Sequence, residues 1–359
     1  MSDHSNKQKG KKRMQNKTLR KLGAASVTAA LVLTGFIAAA PAQAATKTIG
    51  IAYSLGGRDV PGFNQLAYIG VKPLLDKNKS LKLIETQDNP TATDDQRAER
   101  LRLMAGRGAN PIVVVGFTYA AALGKVAKEF PKIQWGIVDD SSVVAPNVQS
   151  IVFKEEEGSY LVGVAAALKT KTKSVGFIGG VNTPLIAKFE AGFIAGVHAV
   201  DKTITVKSTY ISNFPDFSGF NDPAKGYEAA KGMYENGADV VYAAAGGTGT
   251  GMHKAASELG KWSIGVDADE ATYPAHAAYK KTILTSMLKR VDLGTRAFVA
   301  DALAGKKTAG VKTWGSKQGG VGYTTTGGYI TKAVAAKIDA AQKKIASGAV
   351  VVPTDPTKA

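Results

Sequence analysis

The run Gly246-Gly247-Thr248-Gly249-Thr250-Gly251 has the composition of a ligand-binding loop. Free backbone N–H groups in a Gly-rich turn before a helix can cradle a phosphate. It is not a P-loop, because Met252 rather than Lys follows Gly251. G-x-G-x-x-G fails too, since Met252 stands three positions after Gly249. A turn that lets backbone approach a polar ligand is the favoured reading. The histidines are His4, His198, His253 and His276, and none pairs with another at metal-ligand spacing. The chain has no G-x-S-x-G elbow and no cysteine, so a serine-hydrolase turn, a thiolate metal site and a cysteine nucleophile are excluded. Glu155-Glu156-Glu157 resembles a catalytic carboxylate pair, but it opens an expected helix, where acids suit the dipole; a solvated first turn is predicted. No catalytic set emerges, and the expectation is a protein that is not an enzyme, with no metal and no cofactor.

Apolar runs that read as strands begin at Thr48, Leu81, Pro111, Ile133 and Val148, and a second set begins at Ser174, Ile204, Ala238, Trp262 and Lys281. Stretches with helical spacing lie between them, at 63–78, 93–108, 118–130, 157–170, 184–200, 223–236 and 249–260. Strand–helix alternation with Val/Ile-rich strands predicts an α/β protein whose parallel sheets are covered on both faces. One sheet of all these strands would be unusually wide, so two sheets of about five, divided near residue 153, are predicted. Several strands end in Ser54-Leu55-Gly56-Gly57, Gly116-Phe117-Thr118, Asp139-Asp140, Gly179-Gly180, Gly246-Gly247 or Asp267. In open α/β sheets, ligands bind at such carboxyl ends, so two facing domains would enclose a small ligand. The final VVPTDPTKA reads as a frayed tail.

The formal charge of +17 suggests a nucleic-acid partner until its distribution is read. Residues 1–44 hold a basic head, an apolar stretch at 24–40 and Ala42-Gln43-Ala44, the layout of an export signal cut before Ala45. Its removal takes away eight basic residues and one acid, leaving a net charge of about +10. The remaining lysines are scattered and interleaved with acids, without a nucleic-acid motif, so no nucleic-acid partner is expected. Nothing after Ala45 is long and apolar enough to span a membrane.

The segment Gly56-Gly57-Arg58-Asp59-Val60-Pro61-Gly62-Phe63-Asn64-Gln65-Leu66-Ala67-Tyr68 resembles the opening signature of the basic membrane protein family, purine-nucleoside receptors of the PnrA type. Further matches follow in order: FKEEEGSYLVGVAAAL (153–168), KFEAGFIAGV (188–197), FNDPAKGYEAA (220–230), GADVVYAAAGGTGTG (237–251), IGVDADE (264–270) and ILTSMLKRVD (283–292). The resemblance covers nearly the whole chain after the signal. It implies a type I periplasmic-binding-protein fold, with two Rossmann-like lobes around a hinge and a central ligand cleft. The lobes would be 45–153 plus about 288–318, and 154–287 plus about 319–345, with 346–359 as a tail.

The resemblance also assigns residues. Phe63 matches the aromatic that stacks on the purine, Asn64 a residue that hydrogen-bonds the base, and Gly246 and Gly247 the loop near the sugar. Asp267 matches the strand-end acid that accepts from vicinal ribose hydroxyls, and Lys289 the lysine that also reaches the sugar. Phe220 is the expected opposing aromatic, and Phe117 and Thr118 complete the expected site. Where the family has an acid nine positions before the stacking Phe, this chain has Ser54, with Asp59 as the candidate substitute. A serine both donates and accepts, so weak discrimination between purines is expected. The implied function is an extracytoplasmic solute-binding protein of an ABC importer. It would deliver a nucleoside to permease and ATPase subunits, as a monomer in the periplasm or extracellular space, without a lipobox cysteine. A same-fold receptor for a sugar or other small polar ligand, or a nucleoside-cleaving enzyme, are the alternatives.

Overall fold

Through most of each half, apolar strands alternate with helices, and the last part of the chain adds one outer strand to each sheet. The computed structural model describes residues 47–359 other than 60 and 90; the export signal expected at 1–44 lies outside the described residues. The first half runs β1 (Thr48–Leu55), α1 (Phe63–Lys77), β2 (Lys82–Asp88), α2 (Asp94–Gly106), β3 (Ala109–Val115), α3 (Ala120–Glu129), β4 (Trp135–Val138) and β5 (Val148–Phe153). The second runs α4 (Glu155–Lys169), β6 (Ser174–Asn182), α5 (Pro184–Val200), β7 (Thr205–Asn213), α6 (Pro223–Glu235), β8 (Val240–Ala244), α7 (Gly249–Leu259), β9 (Trp262–Gly265) and β10 (Ile283–Lys289). The chain then adds α8 (Val291–Leu303), β11 (Gly310–Trp314), β12 (Val321–Tyr323) and α9 (Lys332–Ala346).

Local sequence explains the boundaries. Thr93 and Gln96 form a reciprocal capping box at α2, with Gln96 N–H donating to Thr93 Oγ1 and Thr93 N–H donating to Gln96 Oε1. Thr183 and Asp222 cap α5 and α6, each followed by a proline at the first helical position. The central strands β3 and β8 are buried on both faces, which their unbroken apolar runs require.

The described residues form two sheets, each of six strands, in the orders β11-β5-β4-β3-β1-β2 and β12-β10-β9-β8-β6-β7. The orders match position for position, so the halves are topological copies apart from the direction of the sixth strand. All ladders are parallel except β10–β12. The alternation predicts two parallel sheets; the sixth strand of each, β11 and β12, is short and lies in a segment without a marked apolar run. The chain passes from the first sheet to the second between Phe153 and α4, returns between Lys289 and α8, and passes again between β11 and β12.

Two expectations are corrected. Glu155, Glu156 and Glu157 do open a helix, but they are buried rather than solvated. Helix α4 packs tightly on α5, because a Cβ at Gly192 or Gly196 would overlap the Glu156 or Tyr160 carbonyl. That close approach takes the first turn of α4 out of water; Glu155 and Glu157 find partners inside, whereas Glu156 Oε2 has none and burial raises its carboxyl to about 7. Lys188 Nζ lies 3.2 Å from Glu155, and Ser316 N–H donates to Glu157 at 2.6 Å. The final segment is not frayed either: Val352 is buried in the main core and the turn Pro356–Lys358 lies against α5. No helix among the described residues is long and apolar enough to cross a membrane.

Candidate functional site

A cavity of about 140 Å³ lies where the carboxyl ends of the strands of both sheets meet. Ser54, Phe63, Asn64, Phe117, Thr118, Phe220, Gly246, Gly247, Asp267 and Lys289 all line it, as do Asp139, Leu185, Ile186, Phe189 and Phe217. Of the expected site residues, Asp59 alone is outside. Its side chain is 93% exposed, beside Arg58, whose guanidinium is drawn outward by Glu85 at 3.0 Å.

The end of β1 is shaped by Asn64, the second residue of α1. Ser54 N–H and Ser54 Oγ–H both donate to Asn64 Oδ1, at 3.2 and 3.0 Å. Asn64 Nδ2 donates to the carbonyls of Leu55 and Ser54, at 2.9 and 3.3 Å. The Ser54 N–H fixes which end of the amide is oxygen, and the four bonds use its whole capacity. Asn64 was expected to bind a base; instead it clamps the strand end that carries Ser54. Phe63, one residue earlier, follows Gly62 at φ 103 and turns its ring into the cavity wall.

The charged groups gather about Lys289, at the end of β10, whose side chain is 2% exposed. Its Nζ lies 2.5 Å from Asp139 and 3.1 Å from Glu155. The rings of Phe63, Phe153 and Phe189 surround it at 5.1, 5.4 and 5.5 Å. Asp139 follows β4 and Asp267 follows β9, the same place in the two topological copies, and both sit at φ 66. Burial pushes the Asp139 carboxyl above its ordinary range against the pull of Lys289. Burial likewise raises Asp267 to about 7, with Lys289 opposing and Asp139, Glu270 and Glu155 adding to the rise. Lys289 goes up, because the attraction of Asp139, Glu155 and Asp267 outweighs its desolvation. Three lining atoms, Thr118 Oγ1, Asp139 Oδ1 and Asp267 Oδ1, are buried without a hydrogen-bond partner. Such atoms are costly unless something in the cavity engages them.

Aromatic rings from both sheets complete the wall. Phe117, after β3, meets Phe217, after β7, edge to face at 5.7 Å. Gly246, at φ 54, lets the Phe220 carbonyl approach to where a Cβ would be 3.0 Å away. Phe189 and Phe217 have no counterpart among the expected site residues, and Asp139 was expected only as a strand end. The signal for Asp139 is Ile137-Val138-Asp139, which echoes Gly265-Val266-Asp267 one topological copy later. His253 and His276, unpaired by spacing, also meet in the fold: with Glu270 they offer three donor atoms within 4.8 Å of one another.

The comparisons with known proteins agree with this architecture. Residues 50–355 match the family model described as ABC transporter substrate-binding protein PnrA-like. The chain belongs to that family. A relative from Listeria monocytogenes, named CD4+ T-cell-stimulating antigen, is 36% identical over 86% of this chain and 88% of its own length. The ABC transporter nucleoside-binding protein BmpA of Lactococcus lactis is 36% identical over 64% of this chain and 69% of its own. An ABC transporter solute-binding protein from Aeropyrum pernix K1 superposes with a TM-score of 0.74 at 24% identity, covering 86% of this chain and 94% of that one. The fold of this PnrA-like protein is therefore that of type I periplasmic binding proteins, two α/β lobes with mostly parallel sheets. As a substrate-binding protein it serves an ABC transporter and takes a small-molecule ligand.

Proposed function

We propose that this PnrA-like protein binds a purine nucleoside in the cavity between its two sheets and delivers it, outside the cytoplasm, to the permease of an ABC importer. The observation that carries the reading is one enclosure holding a stacking ring, Phe63, next to Lys289 and two strand-end carboxylates with unpartnered oxygens, Asp139 and Asp267. A flat base suits the ring, and a vicinal diol suits carboxylates that accept charge-assisted hydrogen bonds. The nucleoside-binding relative BmpA supports the same ligand class. Asp139 and Asp267 present unpartnered carboxylate oxygens to the cavity, which suit hydroxyl donors and repel the oxygens of a phosphate. A nucleoside fits this balance better than a nucleotide.

The binding residues in this reading are Phe63, Phe220 and Phe117 for the base, Ser54 and Thr118 for its edge, and Asp267, Asp139, Lys289, Gly246 and Gly247 for the sugar. The lobes are 45–153 plus about 288–318, and 154–287 plus about 319–345, closing about the crossings between the sheets. Residues 1–44 act as a cleaved export signal, and the mature protein works as a monomer that returns its ligand unchanged. Mass spectrometry of small molecules retained after purification, followed by calorimetry with the ligand found, tests the reading. A purine nucleoside bound and recovered intact is the expected result. Release of free base, or retention of a sugar without a base, would overturn it.

A further inference from the structure

Behind Asp267, the wall of the cavity is held by buried side chains that take no part in the proposed site. Glu270, 5% exposed, folds back on its own turn, and its Oε1 accepts the Val266 N–H at 2.7 Å. Its Oε2 is 2.8 Å from His253 Nε2 on α7. Its own N–H donates to Ser286 Oγ on β10, at 3.1 Å. Asp267 lies between these anchors at φ 66, a conformation that side-chain-bearing residues rarely adopt without support from their surroundings. Its carbonyl accepts the Lys289 N–H at 2.9 Å, and the Ala268 N–H closes on Val266 O at 2.8 Å.

His253 completes the support. Ser263 Oγ–H donates to the Thr282 carbonyl, His253 Nδ1 is hydrogen-bonded with Ser263 Oγ at 2.8 Å, and its Nε2 faces the Glu270 carboxylate. Burial opposes ionisation of Glu270, but His253 and His276 hold its carboxyl below the usual range. The three donor atoms have the proximity of a cation site, yet the ring nitrogens are already engaged. His276 Nδ1 faces the Glu270 carbonyl at 3.2 Å, and its Nε2 faces Thr250 Oγ1 at 3.1 Å. The cluster is a hydrogen-bonded brace.

We infer that Glu270, backed by His253, is a positioning residue that fixes the Asp267 carboxylate for the sugar hydroxyls and so sets the preference for ribose over deoxyribose. The inference rests on the nucleoside reading above. The test is the ratio of affinities for guanosine and 2′-deoxyguanosine, by calorimetry. The wild type must prefer guanosine; equal affinities there would remove the nucleoside-sugar reading itself, and this assignment with it. Given that preference, Glu270→Ala is expected to reduce guanosine affinity roughly tenfold or more while deoxyguanosine affinity changes little. Glu270→Gln keeps an acceptor for the Val266 N–H and a hydrogen-bonding amide for His253, so it should retain most of the ratio. Ser286→Ala loosens the other anchor at low cost to folding and should lower the ratio in the same direction, so the test stands even if Glu270→Ala does not fold. An equal loss for both ligands, or a ratio unchanged in both Glu270→Ala and Ser286→Ala, would overturn the assignment.

Discussion

The Ser54 hydroxyl gives its proton to Asn64 Oδ1, 3.0 Å away, so Ser54 turns only lone pairs toward the cavity. The sequence suggests a serine able to donate and accept, and hence weak discrimination between purines. The clamp by Asn64 changes that expectation, because Ser54 then acts as an acceptor, as an ionised acid would. Inosine and guanosine, which carry an N–H at N1, should bind more tightly than adenosine, which carries a lone pair at that atom. Ser54→Ala should level the series by about 1 kcal/mol, roughly fivefold. A calorimetric panel on both proteins measures it, and an unaltered affinity order in the variant would show that Ser54 does not read the base.

Phe63 contributes through its face, which every base satisfies equally. Phe63→Ala should weaken guanosine and adenosine alike, by about 1–3 kcal/mol. A loss confined to one purine would mean that the ring reads an edge instead of stacking.

Binding should depend on pH through Asp267. Its carboxyl ionises near 7 in the free protein, and hydroxyl donors bind the ionised form better. A ligand that prefers this form lowers the bound-state value, so affinity should rise with pH between 5 and 7 and level off above about 8. The steepest change is about tenfold per pH unit, set by one proton. Asp267→Asn should bind more weakly and lose the slope; a wild-type profile flat from pH 5 to 8 would contradict the assignment.

Lys289 is the cation that the clustered acids require. Lys289→Met leaves Asp139, Glu155 and Asp267 buried without it, which should cost about 3–5 kcal/mol of stability at pH 8. The fall in urea midpoint should shrink when Asp139→Asn is added, because one carboxylate then needs no partner. A single variant as stable as the wild type would show that water already screens the cluster.

Much of the architecture was legible in the sequence because parallel strands buried on both faces must be apolar through their centres, and β1, β3, β6 and β8 are. The sixth strands were not, since β11 carries Lys312 and Thr313 and β12 spans only Val321–Tyr323. The cavity residues at strand ends were legible by their types, Ser54, Thr118 and Asp267 among them. The burial of Glu155 was not, because it follows from the α4–α5 approach that distant glycines allow. Asn64 shows the same limit: its type fits a base contact, and only the fold reveals that its amide is committed to Ser54 and Leu55.

The three passages of the chain between the sheets have a mechanical consequence. Any rotation of one sheet against the other turns about those passages, and Glu155 and Lys289 sit immediately beside two of them. Groups on an axle move least, so the contact between these two should persist whatever the angle. Phe117 and Phe217 are each carried by a different sheet and lie on none of the passages. Their edge-to-face contact is the gauge of the angle, and fluorescence from a Trp placed at 217 would read how far the jaws have parted.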